Sequence, residues 1–520
     1  MLPLLFGDYI KGSVTSGIAI LNLLSNSEVI TSSQLIHRVA TTNKTSPENA
    51  RQIVRRQSGQ NGVWRSDKLI LPGGGRLFAR TGFRASDSFL PAVVAILEQH
   101  RPTLARLIKH ISKTRTLLRS HAELLLATPI LTEKAKFPAY DNEVQSLREL
   151  GVSVVEGKDS VLERLTSPEL LNSAQSHALA LRYHAQLTAE VAIARILMGE
   201  LSRENIVAWN TKALDGNSAL LKSFNNFRFV DTGFSHLYPL VRINQDGRRI
   251  PTPVVMDVCA RDCTLEDVQS FNERIARAGA NKTTQLIILG IIAAYDFEFA
   301  AWETAKKLGY IAINLKQHFG DSAFEALVQI QALLQNVAGE PNKAAPKDYD
   351  KLTHYLKDLK TNPYVVDLRS LGFEALAGFI LRTEGWEDVQ LNIKAATSNG
   401  DSREVDVSGK RNGGRELYVV ECKAEGINKK LDPSYVRKFF NETLRAFLRS
   451  RTGTPLRACH AEIWTTGQIG EDAKKAFSEI KAELKPYIKP LLVGHDAVKD
   501  KIPDSLGSCK RLLEAISAGD

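Results

Sequence analysis

The chain has 520 residues, 43% of them hydrophobic and 24% charged. That length predicts three or four domains at about 100–200 residues each, and the composition excludes a disordered or fibrous chain. Lys and Arg outnumber Asp and Glu by 68 to 58, a formal charge of +10. This leans toward polyanionic partners, although a solvated basic surface gives the same excess.

Five cysteines, odd in number and scattered, exclude a secreted disulfide framework and fit a reducing cytoplasm. Cys259 and Cys263 have the spacing of half a metal knuckle, but no second Cys or His pair follows, so no zinc is expected. The longest apolar run, residues 286–294, is far too short for a bilayer span, so no membrane contact is expected.

Residues 14–80 read as three short helices and a hairpin. Ile18, Leu21 and Leu24 mark the first helix. Thr31 with Gln34 makes a capping box for the second, and Ser46 followed by Pro47 starts the third. There Ala50, Ile53 and Val54 can face a core while Arg51, Gln52, Arg55 and Arg56 project outward, and strand-like pieces at 63–65 and 68–71, followed by Gly73-Gly74-Gly75 and residues 76–78, carry Arg65 and Arg76. The arrangement resembles a winged helix over residues 1–85, with those six side chains as candidate DNA contacts; a protein-contact module with a solvated arginine face has the same pattern.

Residues 86–167 repeat the order more faintly and look like a second winged helix. Its first helix, through Leu104, Leu107 and Ile111, carries Arg101, Arg106, Lys109, Lys113, Arg115 and Arg119 with no acid between them: a phosphate-contacting stripe or a solvated face. From 168 to 337 strands alternate with helices, predicting an α/β domain. Residues 338–347 (AGEPNKAAPK) read as a linker, and residues 348–520 as the last domain.

In that domain a helix over 373–383 precedes strands at 389–392, 404–408 and 416–423, with a turn at Asn412-Gly413-Gly414. A helix over 434–449, a strand at 461–465 and a helix over 471–484 follow. In ELYVVECKA, alternation puts Glu421 and Lys423 on one face and Val420 and Cys422 on the other, and Asp406 lies on the partner strand. Two carboxylates and a lysine together suit Mg²⁺-assisted phosphodiester hydrolysis, with Mn²⁺ as an alternative ion. Glu404, the other acid of that strand, is expected on the opposite face, and Glu384 and Glu425 in solvent.

SREVDVSGK followed by ELYVVECKA, behind the helix GFEALAGFIL, resembles the PD-(D/E)xK nuclease superfamily, and within it the Mrr-like restriction endonucleases, over residues 350–493. The resemblance implies Asp406 and Glu421 as metal ligands, Lys423 as the catalytic lysine and Glu374 as the supporting helix carboxylate. The proline that precedes the first acid in the family is Val405 here. Lys429, Lys430, Arg437, Lys438, Arg445, Arg449 and Arg451 then offer a basic lining for a nucleic-acid cleft, as an ordinary solvated helix face also would.

The 168–337 segment has the same element order, with IPTPVVMDVCA in the place of ELYVVECKA, and reads as a degenerate copy: Asp257-Val258-Cys259 replaces Glu-Cys-Lys and no acid matches Asp406. Glu190, Asp231 and Asp257 form a thin alternative constellation. The expectation is thus a multidomain chain, winged-helix modules followed by two restriction-endonuclease-like α/β cores. It would be a cytoplasmic Mg²⁺-dependent enzyme cutting double-stranded DNA in restriction or antiphage defence, as a homodimer because one site cuts one strand. A repair or recombination nuclease of the same fold, or a non-catalytic DNA-binding regulator, are the competing readings.

Overall fold

A computed structural model describes residues 20–57, 62–129, 140–155, 164–166, 174–208, 221–237, 241–243, 247–280, 286–338, 346–359, 362–396, 402–450 and 455–518. The chain divides into two compact units, Met1–Val155 with Arg164–Asn172, and Glu156–Glu163 with Ser173–Asp520. Ile18 of the expected first helix and residues 339–345 of the expected linker lie outside the described residues.

The first unit opens with β1 (Val29–Thr31), α1 (Ser32–Thr42), α2 (Pro47–Gln57), β2 (Val63–Arg65) and β3 (Leu77–Arg80), the strands forming an antiparallel sheet in the order β1-β3-β2. The Thr31–Gln34 capping box forms, so two N–H groups at the start of α1 are satisfied locally. Leu35, Val39, Ala50 and Val54 pack with Ile20, Leu24, Val63 and Phe78, which turns the other face of α2 outward.

Next come α3 (Phe89–His100), α4 (Pro102–Thr114), β4 (Thr116–Leu118), α5 (Arg119–Leu126), α6 (Tyr140–Glu149), β5 (Ser153–Val155) and β6 (Arg164–Thr166), with sheet order β4-β6-β5. Each set thus lays its last strand between the other two. Pro102 starts a new helix, because a proline in a first turn loses no intrahelical bond but would clash inside a continuing one. The expected basic stripe on α4 is largely spent within the fold: Arg101 pairs with Glu143, Lys109 with Glu98, and Arg106 is buried.

The second unit starts with α7 (Ala174–Arg203), followed by the hairpin β7 (Lys222–Phe224) and β8 (Phe227–Phe229), β9 (Asp231–Ser235), the pair β10 (Arg242–Ile243) and β11 (Arg249–Ile250), and β12 (Thr252–Cys259). α8 (Leu265–Gly279), β13 (Leu289–Ala294), α9 (Phe299–Lys307), β14 (Ile311–Asn314), α10 (Leu315–Phe319) and α11 (Asp321–Ala338) complete its first half. The sheet order is β14-β13-β12-β9, with β9 antiparallel to β12 and the other pairs parallel. Both parallel steps cross over through a helix, as such pairing requires, and every residue of β12 is buried.

The second half runs α12 (Pro346–Asp358), α13 (Val365–Thr383), β15 (Glu387–Ala396), β16 (Ser402–Arg411), β17 (Glu416–Lys423), α14 (Pro433–Lys438), α15 (Leu444–Ser450), β18 (Ala458–Thr465), α16 (Glu471–Lys481), β19 (Ile488–Val493), α17 (His495–Lys501) and α18 (Gly507–Ser517). β15 to β19 make one five-stranded sheet in sequence order, antiparallel through β17 and parallel from there on. Asn412, Gly413 and Gly414 all take positive φ at the β16–β17 turn, a conformation that glycine and asparagine tolerate best. The helix expected over 434–449 is broken by a π-helical turn at Phe439–Thr443, a distortion often found beside functional sites.

Candidate active site

Strand alternation builds the site. Leu417 and Val419 on one face of β17 enter the core against Ile463 of β18 and Val436, Phe439 and Phe440 of the helix that follows, and Glu421 and Lys423 continue that face toward the strand end. The β16–β17 ladder pairs Val407 with Val420 at its last step. Just beyond it, Asp406 turns its carboxylate to accept the Cys422 backbone N–H at 2.6 Å. Lys423 Nζ donates to Glu421 Oε1 at 2.7 Å, while Glu421 Oε2 is buried without a hydrogen-bond partner among the described residues.

These groups open into a cavity of about 270 Å³ lined by Glu404, Asp406, Glu421, Lys423, Arg403, Tyr435, Lys438, Phe439 and Thr443. The Lys423 ammonium lies 5.1 Å from the centre of the Tyr435 ring. Glu374, from α13, stands behind this set: it accepts from Asn392 Nδ2 at 3.2 Å and lines an adjoining cavity of about 240 Å³ with Arg195, Arg203 and Asp367. The expected quartet is therefore three residues in one cavity and a fourth beside it.

Glu404 corrects the sequence reading. Residues two apart on a strand share a face, so Glu404 lines the same cavity as Asp406 instead of the reverse side. Its carboxylate is gripped by Arg195 of α7, Nη1 to Oε1 at 2.9 Å and Nη2 to Oε2 at 2.6 Å. Alternation alone could have placed Glu404; no local pattern pointed to Arg195. Glu425 is also corrected: its side chain is 11% exposed and lies 3.6 Å from Lys429.

Burial and the neighbouring Glu421 and Glu374 carboxylates push the Asp406 carboxyl well above the usual range. Burial, with Glu404 adding to it, lifts Glu374 to about 7. Burial also opposes the Lys423 ammonium, but Glu421 and Asp406 outweigh it and hold the lysine above its ordinary pKa. Crowded carboxylates resist ionising together, and a divalent cation relieves that resistance; the orphaned Glu421 oxygen beside Asp406 is a donor set of the hard-oxygen kind such ions take.

The remaining candidates fall elsewhere. Arg51, Gln52, Arg55 and Arg56 are all exposed on α2. Arg65 instead pairs with the Asp67 carboxylate at 2.6 Å, and Arg76 donates to the carbonyls of Ser66 and Asp67, so both brace the loop after β2. In the middle sheet Asp257 pairs with the buried Arg274, Glu190 accepts from the Ala260 N–H at 3.2 Å, and Asp231 accepts from the Thr232 N–H at 2.8 Å. Cys259, Cys263 and Asp267 bring one ligand atom each to within 4.8 Å of one another, but both Asp267 oxygens are engaged by Arg261.

Comparison with curated proteins and with solved structures returned no match. Residues 366–485, the stretch that carries Glu374, Glu404, Asp406, Glu421 and Lys423, match the family model Mrr_cat, described as restriction endonuclease, and in this C-terminal region the chain is similar to nucleases of that family.

Proposed function

We propose that the chain is a Mg²⁺-dependent DNA endonuclease whose site lies at the ends of β16 and β17. The observation that carries the reading is the meeting of Asp406, Glu421 and Lys423 in one cavity, with a buried Glu421 oxygen left without a partner, inside the region similar to restriction endonucleases. Asp406 and Glu421 would hold the ion, which supplies Lewis-acid polarisation of the phosphodiester and a lowered pKa for its water. The Cys422 N–H fixes the Asp406 carboxylate, and Glu421 and Tyr435 fix the Lys423 side chain.

Because its pKa is raised, Lys423 stays an ammonium at neutral pH. As an ammonium it can orient the attacking water and offset charge building on the phosphate. Lys438 on the cavity wall would face the nucleic-acid backbone.

We assign the two helical and three-stranded sets of the first unit to winged-helix modules, with Arg51, Gln52, Arg55 and Arg56 of α2 turned to DNA. Residues 168–337 are then a restriction-endonuclease-like core without catalysis, joined by the 338–347 segment to the catalytic domain at 348–520. A restriction or antiphage role, and double-strand cutting by a homodimer, extend the reading by resemblance and symmetry.

The deciding experiment is cleavage of plasmid, phage and modified DNA by the full chain with Mg²⁺, beside a folded Lys423→Ala variant. Cleavage by the parent alone supports the assignment; equal cleavage by both places the chemistry elsewhere, and none by either favours a binding-only protein.

A further inference from the structure

The region similar to restriction endonucleases does not contain all of its own site. Arg195 comes from α7, the helix that precedes the middle sheet, yet it takes both oxygens of Glu404 in a two-point contact and lines the cavity behind the site with Glu374 and Asn392. Its placement is built: the same helix is tied to β15 through His177 Nε2 to Asp388 Oδ1 at 2.8 Å and His184 Nε2 to the Leu391 carbonyl at 3.3 Å. The Arg195 and Glu404 side chains are 44% and 23% exposed, so the pair adds little to folding, and its position between the two cavities calls for another explanation.

We propose that Arg195 is a positioning residue of the C-terminal site: it keeps the Glu404 carboxylate off an ion held by Asp406 and Glu421 and offsets one negative charge where a phosphodiester must approach. The inference rests on the nuclease reading above. Glu374, Glu404, Asp406, Glu421 and Asp367 in the two cavities stand against Lys423, Lys438, Arg403, Arg195 and Arg203, so the formal charges balance with Arg195 in place. Arg403, on the same wall, is committed to Glu442 at 2.5 Å and does not replace Arg195. Without Arg195 the set carries a net negative charge, which attracts the ion and repels the phosphate.

The two effects have opposite signs, and this separates the idea from a merely structural role. Mn²⁺ binding would be measured by titration of the full chain in the parent, Arg195→Met, Arg195→Lys and the double variant Arg195→Met with Glu404→Gln, beside single-turnover DNA cleavage. Arg195→Met is expected to bind Mn²⁺ about tenfold tighter, or to take up a second ion through Glu404, while cleaving DNA at least about tenfold more slowly. Arg195→Lys and the double variant should return Mn²⁺ affinity toward the parent's. Unchanged binding and cleavage in Arg195→Met, or weakening of both, would overturn the inference with the nuclease reading intact. A parent that binds no Mn²⁺ and cuts no DNA would overturn both.

Discussion

The two larger sheets of the second unit share a pattern: β9-β12-β13-β14 and β16-β17-β18-β19 each run one antiparallel step and then two parallel ones. In each, an acid sits two residues before the end of the strand that switches sense, Asp257 in β12 and Glu421 in β17. Their surroundings differ. Asp257 faces Arg274, 2% exposed, and also accepts the Val230 N–H, whereas Glu421 accepts from Lys423 and, among the described residues, leaves one buried oxygen without a hydrogen-bond partner. Cys259 ends β12 where Lys423 ends β17. A fold of this shape offers the position; a buried guanidinium makes it structural, and a second carboxylate with a lysine makes it a candidate for chemistry.

The sharpest way to break the contrast is to remove the two strand-end residues in turn. Lys423→Ala should lower the single-turnover cleavage rate by about 10²–10³-fold, the scale of losing one group that stabilises developing charge. Cys259→Ala should leave the rate within about twofold. A large loss from the cysteine change would mean that the middle sheet takes part in the chemistry and is no mere scaffold.

Stability separates the same two acids. Asp257→Asn leaves Arg274 buried beside a neutral partner and should cost about 3–5 kcal/mol in denaturant unfolding. Glu421→Gln, measured without divalent ions, should cost far less, because it removes a charge from a crowded carboxylate group. Similar losses for both would show that Glu421 is as structural as Asp257.

A smaller effect follows from Glu374. Its folded-state pKa of about 7 lies above the ordinary glutamate value of 4.5, so between those values the folded protein binds more protons than the unfolded chain. This group's contribution to stability therefore falls as pH rises through that window. Glu374→Gln should gain stability relative to the parent at pH 8 and lose that advantage at pH 4, with divalent ions absent. A gap independent of pH would show that Glu374 titrates alike in the folded and unfolded chain, and so is less buried in effect than its neighbours imply.

What the sequence showed depended on distance along the chain. Asp406, Glu421 and Lys423 were legible because a hairpin turn and period-two alternation are local rules. Glu404 was misplaced by breaking that same rule, not by any override from packing. β1 and β4 are three residues each, too short for alternation to register. The break at Phe439–Thr443 has no composition cue, since Phe439 and Phe440 fit an ordinary helix core equally well. Arg195 depends on how α7 packs along β15, a contact between segments far apart in sequence, and nothing in one helix's pattern encodes it.

The first unit provides the mildest test, because its evidence is a face and not a cavity. On α2 the buried Ala50 and Val54 turn Arg51, Gln52, Arg55 and Arg56 into solvent, while Arg65 and Arg76 are held by the loop around Asp67. If α2 meets DNA, Arg51→Ala and Arg55→Ala should each weaken binding by a few-fold and lower the slope of log affinity against log salt by about one, as the loss of a phosphate contact does. Arg65→Ala and Arg76→Ala should instead act through the loop they brace, lowering thermal stability with little change in that slope. The reverse assignment, with the slope moving for Arg65 and Arg76 and not for Arg51 and Arg55, would transfer the contact from the helix to the β2–β3 loop; no change for any of the four would make the arginine face a solvated one.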